Sequence, residues 1–220
     1  MTLIPSRRIV LLGLPLLVAS CASSPQLASQ VDLRPLALAD SASPYGPIVD
    51  EPFPVRALDL SKIDADLLRQ QVTYNGPFAP GTVVVSIPER RLYLEQPGGS
   101  ALRYAVGVGR DEALNFRGSA FIGRKAEWPT WTPTASMIQS IPRYKDYAGG
   151  MPGGADNPLG PRALYLYRDN QDTHFRLHGT TDPRSIGKAV SSGCIRLFNQ
   201  DIIDLYDRVP VGAPLVVLQG

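Results

Sequence analysis

The sequence predicts a mainly β domain over residues 81–220, formed by mostly antiparallel strands with one packed helix. The 220-residue chain carries 20 glycines and 21 prolines, a composition that favours strands and turns over long helices. Short apolar or alternating runs, separated by turn residues, recur after Gly81. The segment NQDIIDLYDRV, at 199–209, has the apolar spacing of an amphipathic helix.

The first predicted strands follow Gly81 directly. The runs TVVVSI and RLYLE flank the short segment PER at 88–90, which predicts a β-hairpin. QPGGS interrupts the pattern, and ALRYAVGVG at 101–109 predicts a further strand. Residues 110–162 concentrate proline and glycine, as in WPTWTPT, AGGMPGG and NPLGPR, and predict a loop-rich stretch. A long irregular stretch in a compact domain usually forms a binding loop or a lid.

The C-terminal part predicts a second hairpin, the helix and a closing strand. ALYLYR and THFRLHG flank a turn at DNQD, and APLVVL predicts a buried strand after the helix. Asn199 is positioned to cap the helix, and Pro210 and Gly212 to end it. One face of the helix is expected to be buried, and it carries Ile202, Leu205, Tyr206 and Val209.

Residues 1–20 predict an export signal. Two arginines precede the apolar run IVLLGLPLLV, which is shorter than the ~20 apolar residues needed to cross a bilayer. SRRIVLL also resembles a twin-arginine signal, with a general secretory signal as the alternative. Cys21 follows the small pair Ala19 and Ser20, and LVASC resembles the box at which lipoproteins are cleaved and lipidated. Ordinary cleavage nearby is the alternative to lipidation of Cys21.

The chain between this signal and Gly81 predicts a spacer. Residues 21–57 are rich in serine, alanine and proline and predict a tether without a core of its own. Residues 58–80 predict a lead-in with one short helix near 64–70, capped by Asp64. We therefore expect a periplasmic or cell-envelope protein, with a membrane contact through a lipid anchor if Cys21 is modified.

The charge balance and the few metal-binding residue types exclude two classes of function. Removal of residues 1–20 leaves 20 basic and 20 acidic residues, so the exported chain is neutral. A nucleic-acid-binding protein usually carries a basic excess, so no nucleic-acid partner is expected. His174 and His178 lie roughly 13 Å apart along an extended strand. With a single nearby cysteine they are a poor metal site, and we expect neither a metal nor another cofactor.

Cys194 is the strongest candidate for a reactive group. Exported proteins usually pair their cysteines, and a lone one indicates an intermolecular bridge or a reactive thiol. Gly193 lets the chain turn and present N–H groups to the sulfur, where they favour a thiolate and an oxyanion. Arg196 faces the same way as Cys194 in a strand and suits a carboxylate. A buried inert cysteine, a structural histidine and a Cys21–Cys194 disulfide are the alternatives.

Three short motifs carry a family resemblance. HGT at 178–180, SIG at 185–187 and SSGCIRL at 191–197 together resemble the L,D-transpeptidase (YkuD-type) catalytic domain. The similarity runs from about Gly81 to Leu218, and the EWPTWTPT and NPLG segments resemble the branch found in Gram-negative envelopes. The resemblance implies a β-sandwich of mixed, mostly antiparallel strands with one packed helix after the catalytic cysteine.

The resemblance also implies the site residues. Cys194 would be the nucleophile, His178 the general base, and the carbonyl of Gly179 would orient the imidazole. Substrate-binding residues would be Arg196, Ser191, Ser192 and Gly193. Many members of the family carry a histidine at the position of Ser192, so this chain lacks a second imidazole there. The segment 124–160 is a candidate wall or lid of the cleft, with core packing as the alternative for its aromatic residues Trp128, Trp131 and Tyr144.

The implied reaction is acyl transfer on peptidoglycan. Cys194 would attack the carbonyl before the terminal D-residue of a tetrapeptide stem, release D-alanine and form a thioester. An amine of another stem would resolve the thioester, while an envelope protein or water are alternative acceptors. A non-catalytic wall-binding lipoprotein is the alternative from another class. A cysteine protease is a third, although the chain has no papain-type cysteine signature.

Overall fold

The computed structural model describes residues 43–219. This part of the chain contains eleven strands and two α-helices. The helices are α1 (Ala135–Ser140) and α2 (Asn199–Arg208). The strands are β1 (Gln70–Thr73), β2 (Val83–Ser86), β3 (Arg91–Gln96), β4 (Ser100–Ala105), β5 (Val108–Gly109), β6 (Gly118–Glu127), β7 (Arg162–Arg168), β8 (Gln171–His178), β9 (Ala189–Ser191), β10 (Ile195–Arg196) and β11 (Pro214–Leu218).

Nine of these strands form one mixed sheet, in the order β1-β4-β3-β2-β11-β6-β7-β8-β10, and β5 pairs with β9 separately. The pairs β2–β11, β8–β10 and β5–β9 are parallel, and the other pairs are antiparallel. The predicted mainly β fold with mixed, mostly antiparallel strands is therefore confirmed. Both predicted hairpins are present, as β2–β3 and β7–β8.

The large sheet curves round until its two ends approach each other. Arg196 of β10, the last strand in the order, exchanges backbone hydrogen bonds of 2.9 Å with Gly107, which follows β4. One apolar cluster lies inside the curve and draws on β2, β3, β7, β8 and α2. Its fully buried members include Val83, Leu92, Leu164, Leu177 and Ile202. The curvature brings β8 and β10 beside the chain that follows β4.

Strand β6 was missed by the sequence prediction, which placed it in a loop-rich stretch. It is the longest strand, at ten residues, and only Ile122 of its side chains is buried. β6 lies between β11 and β7, so its backbone is paired on both sides. Gly123 lies against the ring of Tyr167, where a Cβ atom would come within 2.3 Å. A strand covered by its neighbours in this way needs little apolar sequence of its own.

Helix α2 has the predicted apolar face but a different N-terminus. Ile202, Leu205 and Val209 are buried, as expected. The residue that caps the helix is Phe198, and Asn199 is the first helical residue, so the predicted cap is wrong. The side-chain oxygen of Asn199 instead accepts a hydrogen bond from the backbone N–H of Thr180, at 2.8 Å. A tertiary contact has replaced the local one.

Residues 43–57 pack against the domain, so this part of the chain is not the free tether that the sequence predicted. Tyr45 and Val55 are each only 4% exposed. The Tyr45 hydroxyl donates to the Asp201 carboxylate at 3.0 Å. Gln200 of α2 donates its amide to two carbonyls of this segment. Two buried apolar anchors and satisfied carbonyls outweigh the polar composition that predicted a free spacer. Residues 1–42, including the predicted signal and Cys21, lie outside the described part of the chain.

The lead-in contains two short 3₁₀ turns, Leu60–Lys62 and Ala65–Leu67, in place of one helix. Asp64 does cap the second turn, accepting from the N–H of Asp66 at 3.0 Å. The apolar residues of the lead-in pack with Tyr45 and Phe198 in a second, smaller cluster. Between Ser43 and Gln219, no helix has the length and apolar character required to cross a bilayer.

Candidate active site

The parallel pair β8–β10 brings the predicted catalytic residues to one place. Arg196 lies opposite His178, and Ile195 lies opposite Leu177. Cys194 precedes β10 and lies beside Arg176 in the same register. Its sulfur lies 3.9 Å from the backbone carbonyl oxygen of His174. Residues 18 positions apart in the sequence thus become neighbours across two strands.

His178 is held as a neutral imidazole. Its Nδ1 lies 2.7 Å from the carbonyl oxygen of Gly179. A carbonyl only accepts hydrogen bonds, so Nδ1 carries the proton and Nε2 is the acceptor nitrogen. Burial, together with the nearby charges of Arg196 and Arg176, lowers the pKa of His178 to about 4, although the bond to Gly179 acts to raise it. The ring is therefore uncharged at neutral pH.

Gly179 is enclosed by residues that the sequence motifs did not identify. A Cβ atom at this position would come within 2.4 Å of Asn199 Oδ1 and 2.9 Å of Pro161. The Gly179 N–H donates to the carbonyl of Arg162 at 3.3 Å, and Asn199 holds the next amide, that of Thr180. These contacts fix the carbonyl that orients His178. Only a glycine fits here, which gives a physical reason for the HGT motif.

The loop that carries Cys194 depends on Gly193 and Ser191. Gly193 has φ +131°, and a Cβ atom there would come within 2.7 Å of the Leu114 carbonyl oxygen. The Gly193 N–H donates to the Ser191 hydroxyl at 3.1 Å. That N–H is therefore engaged within the loop, and an oxyanion role for the backbone N–H groups near the sulfur stays a prediction. Ser191 is 1% exposed, so positioning of the loop fits its geometry better than the predicted contact with substrate.

The electrostatics around Cys194 favour a protonated thiol at rest. Burial raises the pKa of Cys194 above its ordinary value, and this effect exceeds the lowering by the Arg176 amide and by the Arg176 and Arg196 charges. The sulfur is half-buried, whereas Ser192 next to it is exposed. Among residues 43–219, the thiol donates to the His174 carbonyl and not to the His178 ring. Ionisation of this thiol therefore requires a base.

Comparison with known proteins assigns the family. A family model described as the L,D-transpeptidase catalytic domain matches residues 80–217. The chain belongs to this family. The predicted membership is thereby confirmed, and the matched range contains every candidate catalytic residue.

Relatives of this L,D-transpeptidase domain differ in how much they share. The Escherichia coli (strain K12) protein "Probable L,D-transpeptidase ErfK/SrfK" is 36% identical over an alignment of 147 residues that covers 62% of this chain and 43% of that protein. The chain spans between 42% and 62% of the lengths of the first curated relatives it matches.

Two solved structures complete the comparison. A Brucella melitensis chain described as a "Probable carnitine operon oxidoreductase caia" is 45% identical, covers 73% of this chain and 99% of its own, and has a TM-score of 0.49. That description names an activity of the Brucella melitensis protein only. The "Ldtfm-avibactam carbamoyl enzyme" is 17% identical with a TM-score of 0.50, covers 65% of this chain and 50% of its own, and shares the fold.

The aromatic residues of the segment 124–160 pack against one another and against the N-terminal segment 43–57. Trp128 donates its indole N–H to Glu51 at 2.8 Å and lies edge-on to Phe53. Trp131 lies edge-on to Tyr144, with ring centroids 5.0 Å apart. These contacts match the packing alternative, and the predicted role as a wall of the cleft stays a prediction. Asn157 lies near the end of this segment and is fully buried, and no role was predicted for it from the sequence. Its side-chain amide donates hydrogen bonds to the carbonyls of Pro129, Met151 and Pro152.

Arg196, the other charged residue among the predicted site residues, lies beside both His178 and the Cys194 loop. Arg196 is half-buried, and its charge acts on both His178 and Cys194. Among the described residues, no group of three or more His, Cys, Asp or Glu side chains is arranged to hold a metal ion. Cys21 lies outside those residues, so lipidation at Cys21 and a Cys21–Cys194 disulfide stay predictions.

Proposed function

We propose that this chain is a peptidoglycan L,D-transpeptidase in which Cys194 is the nucleophile and His178 the general base. The observation that carries the proposal is the 2.7 Å contact between His178 Nδ1 and the Gly179 carbonyl. This contact leaves Nε2 as a proton acceptor on β8, the strand that pairs with β10, and β10 begins directly after Cys194. Membership of the L,D-transpeptidase family supports the same reaction.

In the acylation half-reaction, the thiol of Cys194 turns from the His174 carbonyl towards His178. Proton transfer to Nε2 accompanies attack of sulfur on the carbonyl carbon before the terminal D-alanine of a tetrapeptide stem. The carbon–nitrogen bond to D-alanine breaks, and His178 returns the proton to the leaving amine. The products are free D-alanine and a thioester on Cys194.

In the second half-reaction, an acceptor amine attacks the thioester carbon. His178 removes a proton from that amine, and the carbon–sulfur bond breaks. The proton then returns to Cys194, and a new amide links donor and acceptor. Because proton transfer involves a neutral imidazole and a protonated thiol, the resting site stores no charged pair, and ionisation occurs only with substrate present. The positive charge of Arg196 suits a carboxylate of the anionic stem.

The test of this proposal is covalent acylation of Cys194 by a carbapenem, measured by intact mass spectrometry of the purified protein with peptide mapping of the adduct. We expect one adduct on Cys194 in the parent and none in Cys194→Ala. A folded parent with a free thiol and no adduct would contradict the proposal and favour the non-catalytic wall-binding alternative. Muropeptide analysis of a strain without the gene then separates stem, protein and water as acceptors.

We also propose that the protein acts in the cell envelope, anchored through Cys21. The motif LVASC and the export signal before it support this location. Metabolic labelling with a palmitate analogue tests the anchor. We expect label in the parent and none in Cys21→Ala, and an unlabelled parent would remove the anchor from the proposal.

A further inference from the structure

Strand β8 contains a pronounced bulge just before His178. Tyr165 of β7 pairs with Arg176, and Tyr167 pairs with Asp172, so residues 173–175 face the single residue Leu166. His174, at the centre, has φ +63°, a conformation that side chains other than glycine adopt at a cost in free energy. Bulges next to active sites often redirect one side chain or backbone group.

Asp172 holds this bulge together through three hydrogen bonds. Its Oδ1 accepts from the backbone N–H of His174 at 2.8 Å and from Arg176 Nη1 at 2.7 Å. Its Oδ2 accepts from Arg176 Nη2 at 2.8 Å, which completes a bidentate ion pair. Arg176 also stacks on the ring of Tyr165, 4.2 Å from its centroid. One carboxylate therefore fixes both the strained residue and the cation on its far side.

The bulge presents its backbone to Cys194. The His174 carbonyl oxygen lies 3.9 Å from the sulfur and accepts from the thiol. The amide and the charge of Arg176 lower the pKa of Cys194 and favour the thiolate, whereas the Asp172 charge raises that pKa. The ring of Phe175 lies beneath Gly193, where a Cβ atom would come within 3.3 Å of it. His174, Phe175 and the adjacent Arg176 thus each contact or influence the loop that carries the nucleophile.

We propose that Asp172 is a positioning residue of the nucleophile, whose carboxylate holds the β8 bulge in the conformation that aligns the Cys194 loop. The proposal rests on the proposed function of Cys194. Asp172 does not contact substrate; it acts through His174, Phe175 and Arg176. Without it, His174 is free to leave its strained conformation, and the backbone beside Cys194 moves with it.

A double-mutant cycle between positions 172 and 174 tests this role. Glycine adopts positive φ without strain, so a glycine at 174 removes the need for a carboxylate that stabilises the bulge. We expect Asp172→Ala to slow carbapenem acylation of Cys194 about 10- to 100-fold when residue 174 is histidine. We expect Asp172→Ala to slow acylation much less in a protein that also carries His174→Gly. A loss of general stability would not be rescued at this one position.

Two further variants separate the bulge from the ion pair. Asp172→Asn retains an oxygen for the His174 amide and is expected to stay within roughly threefold of the parent rate. Arg208→Ala is the matched control, because it breaks the bidentate i, i+4 pair with Asp204 on α2. We expect parent-like acylation in Arg208→Ala. The thermal midpoint of each variant is measured in parallel.

The outcomes distinguish this proposal from the proposed function. A parent without any adduct would remove the transpeptidase reaction, and the cycle would then be measured by alkylation of Cys194 with iodoacetamide. We expect the two substitutions to be non-additive in that reaction as well. The role of Asp172 is overturned if Asp172→Ala keeps the parent rate, or if its loss is as large with glycine at 174 as with histidine.

Discussion

The half of the site that carries His178 is held very differently from the half that carries Cys194. His178 is 4% exposed, and its orienting carbonyl at Gly179 is enclosed by Asn199 and Arg162. Cys194 lies half-exposed on a bend that is supported by single hydrogen bonds and by a bulge. The base is fixed by tight packing around Gly179, while the nucleophile is placed by the backbone conformation of its own bend and of the β8 bulge. A buried base keeps its pKa low, and a movable thiol can reach both its resting and its reacting partner.

Support for the base half extends to the N-terminal segment, and its loss is expected to have the largest effect on stability. Glu51 and Arg162 form a bidentate ion pair with both side chains about nine-tenths buried. Glu51→Ala leaves the guanidinium buried without its partner and is expected to lower the free energy of unfolding by about 3–5 kcal/mol. Chemical denaturation measures this.

The matched control is Glu112→Ala, which breaks the exposed pair with Arg117. An exposed pair contributes ~1 kcal/mol or less. Equal losses in the two variants would show that the N-terminal segment does not support the domain.

The pKa of His178 predicts how stability depends on pH. The folded state keeps His178 neutral down to a pKa of about 4, whereas the unfolded chain binds a proton below about pH 6.5. The unfolded state therefore binds more protons between these values, and stability falls as the pH falls from 6.5 to 4. The total His178 contribution is about 3 kcal/mol.

Denaturation of the parent and of His178→Gln at several pH values isolates this contribution. Asp201, whose pKa burial raises to about 7, titrates in both proteins and cancels from the difference. We expect the stability of the parent relative to the variant to shrink with falling pH. A constant difference would show that His178 is not held neutral by burial.

The enclosed carbonyl of Gly179 predicts a smaller effect on catalysis. Gly179→Ala forces a Cβ atom towards Asn199 and displaces the carbonyl, so acylation is expected to fall about 10- to 100-fold. Gly154→Ala is the control, since a Cβ atom there meets nothing within 4 Å. Stopped-flow measurement of carbapenem acylation compares them, and equal rates would remove the orienting role of the carbonyl.

The nucleophile half predicts the smallest effect. Ser191→Ala removes the acceptor of the Gly193 N–H and is expected to cost about 1 kcal/mol of stability. Ser192→Ala, at an exposed position, is expected to change stability by less than ~0.5 kcal/mol. Thermal unfolding of both variants measures the two losses of stability. A larger loss in Ser192→Ala than in Ser191→Ala would contradict the role of Ser191 in supporting the loop.

The sequence indicated candidate catalytic residues but not the contacts that hold them. HGT and SSGCIRL are local motifs, and alternation along strands placed Arg196 on the side of Cys194. Glu51 and Arg162 are 111 positions apart, and no local pattern predicts such a pair. The bulge at His174 breaks the period of two on which strand predictions depend. Asn199 was assigned to a helix cap because local rules do not include the competing amide of Thr180.

The fold was predictable where its strands carry their own apolar sequence. β2, β3, β7 and β11 read as apolar or alternating runs, and they form the interior of the sheet. β6 is stabilised by its neighbours on both sides and leaves almost no signal in the sequence. Residues 43–57 were taken for a tether because composition does not reveal that Tyr45 finds a buried partner in Asp201.

Release of D-alanine from a purified tetrapeptide stem fragment tests the central claim most directly. The parent and the control Val211→Ala, altered at an exposed position, are expected to release D-alanine at the same rate. Cys194→Ala is expected to release none, and His178→Gln to be slower by roughly 100-fold or more. Release that persists at the parent rate in either site variant would contradict a reaction in which Cys194 attacks and His178 transfers the proton.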